Sequence, residues 1–223
     1  MFRLNISIFD VTGPVMIGPS SSHTAGAARL AYVAAAIAPD GFWQVKFGLA
    51  GSFAKTGRGH GTDKALLAGA LGLSPDDTGI RDAYALAKAR GISYDFETIE
   101  LPDSHENSAR ITFLYEGGET FYVEGSSIGG GRILVTNLNG LAAEFSAESP
   151  TLITMQYDRQ GVVSAITQLL AEQNINIGVM RVNRTARGDV ASTVIETDAP
   201  VPETIVRALK STPNIIRVCA VSV

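Results

Sequence analysis

The 223 residues suffice for one or two domains with proper cores, and 45% hydrophobic against 18% charged residues marks a globular protein. Eighteen basic and 22 acidic side chains leave a net charge of −4 with no lysine-arginine cluster, which removes the electrostatic footprint of a nucleic-acid binder. The single cysteine, Cys219, excludes an intrachain disulfide, and it cannot hold an iron–sulfur cluster or a structural zinc unaided.

In chain order, the N-terminal MFRLNISIFD lacks the apolar run and small-residue cleavage site of a secretory signal. The longest apolar stretch, 30–38, falls far short of the ~20 residues of a membrane span. A reducing, cytoplasmic setting with no membrane partner is expected. An Ala-rich helix is predicted over 30–37, a strand over 45–50, and helices over 63–71 and 80–90, each of these two followed by glycine. Strands are predicted between 94 and 135, with Gly117-Gly118 as a hairpin turn. The small, polar segment 147–150 ends in proline and suits a linker, dividing the chain into domains 1–147 and 151–223.

The last 73 residues alternate cleanly. A strand over 151–157 and a turn at 158–161 precede a helix over 162–173, where apolar residues fall at 162, 163, 166, 169 and 170. Strands over 175–182 and 190–196 flank a turn at 185–189; a helix then starts at Pro202, and a strand over 215–223 closes the chain. The order β-α-β-β-α-β is a split βαβ unit, so the fold class is α+β with a ferredoxin-like C-terminal domain. Asn174 either ends the first of these helices or opens the next strand.

Three loops hold all three histidines. Gly18-Pro19-Ser20-Ser21-Ser22-His23-Thr24 precedes the Ala-rich helix, where hydroxyls and backbone N–H groups either cap the helix or hold a small carboxylate or phosphate. Gly57-Arg58-Gly59-His60-Gly61-Thr62-Asp63 is predicted as a glycine-rich loop that follows a strand and opens a helix. It either lets a ligand approach His60 closely or is a flexible turn with an exposed histidine. The run lacks the Gly-Lys-Ser/Thr ending of a phosphate loop. Asp103-Ser104-His105-Glu106-Asn107-Ser108 is the weakest candidate, indistinguishable from a polar turn. A fourth run, Ser126-Ser127-Ile128-Gly129-Gly130-Gly131, is either a nest of backbone amides or a chain reversal. No His-Glu-x-x-His zinc motif occurs. Anion-binding loops with histidines able to move protons near neutral pH remain.

Ser-Ile-Phe-Asp at 7–10, Ile-Gly-Pro-Ser-Ser-Ser-His-Thr-Ala-Gly at 17–26, Gly-Arg-Gly-His-Gly-Thr-Asp-Lys at 57–64 and Ser-Ile-Gly-Gly-Gly at 127–131 together resemble the β chain of two-subunit, iron–sulfur-dependent L-serine dehydratases. The C-terminal domain is similar to an ACT domain, with Asp158-x-x-Gly161-Val162 at its first turn, and the N-terminal one to an allosteric-substrate-binding domain. The resemblance implies β-elimination of L-serine to pyruvate and ammonia without pyridoxal phosphate. A [4Fe–4S] cluster would act as Lewis acid, and with one cysteine here its ligands would lie on an α subunit. By the same resemblance His60 is the candidate base, His23 its positioning or relay partner and His105 a third candidate, although His-Glu-Asn-Ser stands where a His-Pro-Asn type of run is expected. Ser20, Ser21, Ser22, Thr24, Gly59, Gly61, Thr62, Asp63, Asn107, Ser127, Gly129 and Gly130 would bind substrate. Asp158, Gly161, Val162 and Asn176 would bind a regulatory amino acid, and no metal is expected on this chain. A homodimer or α2β2-type assembly is implied. The alternative is a purely regulatory amino-acid-binding module, since some D-3-phosphoglycerate dehydrogenases pair similar domains.

Overall fold

The computed structural model describes residues 17–222. The Ser-Ile-Phe-Asp run at 7–10 and Val223 lie outside the described residues. The chain divides into two units between Leu134 and Val135.

In the first unit, helix α1 (Ala27–Ile37) is entered through a π-helical turn, Ser21–Gly26. The backbone N–H groups of Thr24 and Ala25 both donate to the Ser20 carbonyl, at 3.0 and 3.4 Å. Leu30, Val33, Ile37 and four alanines of α1 are buried, and Ala38 is already extended because Pro39 disfavours a helical residue before it. Strand β1 (Gln44–Ala50) is followed by α2 (Gly51–His60), α3 (Thr62–Ala70), α4 (Ala83–Ala89), β2 (Ser93–Thr98), β3 (Asn107–Leu114) and β4 (Thr120–Gly129). These four strands run in the order β2-β1-β3-β4, with only the β1–β2 pair parallel.

Alternate positions of the sheet, among them Phe47, Ile111, Phe113 and Val123, are fully buried on one face. Full burial stabilises by about 1.5–3 kcal/mol per large apolar side chain. Helix α1 packs on β4, and α2 packs on β1 and β3. Helices α1 and α3 approach closely, because a Cβ on Gly69 would run into the Ala28 carbonyl and the Tyr32 backbone nitrogen.

Two sequence expectations are corrected here. Residues 57–60 are not a loop but the last turn of α2. Gly61, at φ 71°, ends that helix in the left-handed region, and α3 begins at once. A Cβ on Gly57 would lie only 3.2 Å from the Thr62 Cβ, so the glycine answers a packing demand. The helix predicted over 80–90 is in two parts, a 3-10 turn Thr78–Asp82 and then α4. The Asp77 carboxylate accepts from the Gly79 N–H at 2.7 Å and holds the tighter turn in place. Gly117 and Gly118 do turn β3 into β4. Gly129, Gly130 and Gly131, all with positive φ, reverse the chain into β5 (Arg132–Leu138).

In the second unit, β5 pairs with β6 (Leu141–Phe145), Val135 opposite Phe145. Residues 146–150 connect β6 to β7 (Thr151–Tyr157). Then follow α5 (Val162–Glu172), β8 (Ile177–Arg184), β9 (Val190–Thr197), α6 (Glu203–Lys210) and β10 (Ile215–Val221). The antiparallel order β10-β7-β9-β8 is the split βαβ arrangement expected from the sequence. Leu152, Ile166, Leu170, Ile195 and Leu209 fill one core between this sheet and the two helices. Asn174, at φ 55°, ends α5, and the Ile175 N–H returns to the Leu170 carbonyl at 3.0 Å. Strand β6 packs against β8 and β9, where Ser192 Oγ donates to the Ala142 carbonyl at 2.8 Å. No helix among the described residues is long and apolar enough to cross a membrane.

Candidate active site

The π-helical turn and α2 bring two of the three histidines together. Ser20 caps the turn, its Oγ accepting from the His23 backbone N–H at 3.1 Å. The His23 ring then lies over α2, edge-on to Phe53 with centroids 5.3 Å apart, and 4.9 Å from the His60 ring. The two segments are also joined directly, because the Thr24 hydroxyl donates to the His60 carbonyl at 3.1 Å. His60 itself is exposed, at the end of a helix that Gly61 terminates.

The electrostatics of the pair follow from this placement. Loss of water contact holds His23 below its ordinary value of 6.5; the charge of His60 lowers it further, while hydrogen bonding to the Ser52 backbone opposes both. His23 is therefore neutral at neutral pH and able to accept a proton.

His60 and Asp63 border an open cleft of about 1050 Å³ between α2, β2 and α4, floored by Phe96 and Tyr94. Asp63 is engaged there, accepting from the Tyr84 hydroxyl at 2.5 Å and from the Lys64 backbone N–H at 2.9 Å. Desolvation, followed by the bond to Asp63, pushes the Tyr84 phenol far above its usual range, so it remains a donor.

The other candidates take varied positions. Ser21 and Ser22 are partly exposed in the π-helical turn, and Gly59 is exposed beside His60. Thr62 is fully buried at the start of α3, with no hydrogen-bond partner for its hydroxyl among the described residues. Ser127 is also fully buried and without a side-chain hydrogen-bond partner among the described residues, pressed against Gly26, where any Cβ would strike it. Its neighbour Ser126 shares a 2.7 Å hydrogen bond with Ser108, whose hydroxyl in turn donates to the His105 carbonyl. His105 is exposed; its Nδ1 accepts from the Asn107 N–H at 3.1 Å, and the Glu106 carbonyl receives the Ser52 N–H at the start of α2 at 2.6 Å. Gly129 and Gly130 have open space around them.

In the second unit, Asp158 accepts from the Gly188 N–H at 3.0 Å and from Arg184 at 2.8 Å. These contacts hold its carboxyl below the usual range. Asn176 donates to Asp198 at 2.7 Å; Gly161, at φ 87°, precedes α5, and Val162 is buried.

Ser52 and Thr56 were not among the residues expected from sequence, yet both hydroxyls reach His23 Nε2, at 3.2 and 3.1 Å. Their signal was the spacing 52, 56, 60, which puts both on the His60 face of a helix. It was hidden by taking 57–60 as a loop.

A family model described as serine dehydratase beta chain matches residues 7–91, and the ACT domain model matches 151–214. The chain is 44% identical to the L-serine dehydratase, beta chain, of Peptoniphilus asaccharolyticus, over 91% of this chain and 92% of the relative. It is 40% identical to the probable L-serine dehydratase, beta chain, of Bacillus subtilis, over 97% and 98%. A D-3-phosphoglycerate dehydrogenase of Bacillus subtilis is 27% identical over 70% of this chain but only 30% of its own length.

Proposed function

The chain belongs to the family of L-serine dehydratase β chains, and from that premise we propose that it supplies the proton-handling part of an active site shared with an α subunit. The reaction is β-elimination. L-serine loses a proton from Cα and hydroxide from Cβ; the resulting aminoacrylate tautomerises to an imine, and water releases pyruvate and ammonia.

The observation that carries this reading is the His23–His60 pair beside the cleft. A serine Cα proton is weakly acidic, so its removal needs a positioned base. His60 is exposed on the cleft and takes the proton; His23, kept neutral by its surroundings, receives or returns it. A charge on His60 disfavours one on His23. Ser21 and Ser22, at the start of the π-helical turn, face the substrate carboxylate with the positive end of the turn and of α1 behind them.

The residues of this chain do not fit an iron–sulfur cluster. Among the described residues no three His, Cys, Asp or Glu side chains are grouped to hold a metal. Burial pushes the Cys219 thiol up to about 12, far from the thiolate a cluster needs. On this reading a [4Fe–4S] cluster would be carried by the α subunit and would supply Lewis-acid chemistry there. A homodimer or α2β2-type assembly in the cytoplasm, with the ACT domain binding an amino acid around Asp158, Gly161, Val162 and Asn176, completes the proposal.

The test is assembly with an α subunit under anaerobic iron–sulfur reconstitution, followed by iron quantitation and a pyruvate assay. The isolated chain is expected to hold no iron and form no pyruvate, and the assembled pair to hold iron and form pyruvate. Turnover by the isolated chain at the assembled rate overturns the shared site.

A further inference from the structure

His23 Nε2 is met by two hydroxyls of α2, Thr56 Oγ1 at 3.1 Å and Ser52 Oγ at 3.2 Å. A threonine hydroxyl has one proton and two lone pairs. Thr56 places that proton on the Ser52 carbonyl, one turn back along α2, at 3.0 Å. This back-bond is the common arrangement for threonine inside a helix. Thr56 Oγ1 can then meet His23 only as an acceptor, and Nε2 must bring the hydrogen. The Ser52 hydroxyl, 3.3 Å from Thr56 Oγ1, donates to the remaining lone pair. Each of the two hydroxyl protons is then used once. With a bare Nε2, the ring and Thr56 would face each other lone pair to lone pair.

We infer that Thr56 is a positioning residue that holds His23 as its Nε2–H tautomer, leaving Nδ1 as the only ring atom able to accept a proton. The identity of the neighbours supports a fixed ring. Phe53 stands edge-on to one side, and the His23 backbone is pinned by Ser20. A relay histidine must present the same nitrogen in every turnover, and the partner of its other nitrogen decides which one that is. The catalytic meaning of the tautomer rests on the function proposed above, whereas the tautomer itself does not.

The experiment is two-bond proton–nitrogen correlation NMR on the full chain with ¹⁵N-labelled histidine, above the ordinary histidine pKa. His60→Gln and His105→Gln spectra assign the three rings. The wild-type His23 ring is expected to show a protonated Nε2 and a bare Nδ1; an Nδ1–H ring, or a rapidly exchanging mixture, overturns the inference. In Thr56→Val the Ser52 hydroxyl loses its acceptor and turns to Nε2, so the Nδ1–H form is expected to dominate, and Thr56→Ser to restore the wild-type pattern. An unchanged Nε2–H ring in Thr56→Val overturns the role of Thr56. In the assembled enzyme Thr56→Val should lower kcat by about tenfold or more with little change in KM, the signature of a group acting through the transition state. A switched tautomer with unchanged kcat removes His23 from the proton path while leaving the tautomer assignment standing.

Discussion

The rings of His23 and His60 lie 4.9 Å apart, tilted by 46°, although one belongs to the turn before α1 and the other to the end of α2. The Thr24 hydroxyl on the His60 carbonyl joins the same two segments through the backbone, so the approach does not depend on the rings alone. The two segments therefore stay joined when either ring is replaced, because that bond uses the Thr24 side chain and the His60 backbone.

For His60 the expectation is loss of activity with retention of fold. The ring is exposed, and the contact that ties its residue to the π-helical turn is made by the backbone carbonyl. Replacing His60 with Gln should lower kcat of the assembled enzyme by about 10²–10⁴-fold, the span of general-base contributions. Pyruvate formation measures it, with thermal melts showing an unchanged midpoint. A kcat within about twofold of wild type excludes His60 as the base.

His23 should make stability depend on pH just below neutrality. Its folded-state pKa is depressed by desolvation first and by the His60 charge second, below the ordinary 6.5. As pH falls through 6.5, the unfolded chain takes up a proton that the folded chain still resists, so folding stability drops. The loss continues until pH reaches the depressed folded value, and stability is fully present above 6.5. Thermal melts across this window should show a falling midpoint, flattened in His23→Asn. A variant that melts with the same slope as wild type removes His23 as the source.

Much of this architecture was legible because periodicity tracks burial. The βαββαβ order of the second unit emerged from strands and helices whose periodic apolar positions include the residues of one core, among them Leu152, Ile166 and Leu209. Helix α2 was not legible. Glycine at 57 and 59 lowers helix propensity, and the small residue at 57 answers the approach of Thr62 from α3, a tertiary fact with no local signature. Taking 57–60 as a loop drew attention to His60 but lost Ser52 and Thr56, which share its face only if the segment is helical. The 7–10 motif lies outside the described residues, so nothing structural bears on it.

Gly26 and Ser127 make a packing prediction. The Ser127 hydroxyl is fully buried against Gly26, and a methyl group there would overlap it. Gly26→Ala should cost about 1–3 kcal/mol, as overpacking commonly does. Ser127→Ala alone should be nearly neutral, since its hydroxyl makes no hydrogen bond among the described residues. The double variant should recover part of the loss, because the overlapping oxygen is gone. Urea unfolding of the three variants measures this, and additive costs in the double variant would refute the contact.

In the second unit, Asp158 joins the first turn of the domain to the β8–β9 hairpin. Its carboxylate takes the Gly188 N–H and Arg184, while the Arg159 guanidinium reaches the Gly188 carbonyl and the Asp158 N–H reaches the Asp189 carbonyl. The Gly188 amide is therefore protected by a side chain, not by a strand partner. Asp158→Ala should speed hydrogen exchange at Gly188 while leaving the amides of β7 and β9, which are held by their own ladder, unchanged. The carboxyl is also held below its usual range, first by the Gly188 N–H and then by Arg184. Its contribution to the hairpin is therefore present above the ordinary carboxylate value and lost as pH falls through the depressed one. Gly188 protection should weaken on acidification in the wild type and be insensitive to it in Asp158→Ala; equal exchange in both proteins at neutral pH would show that the hairpin holds itself.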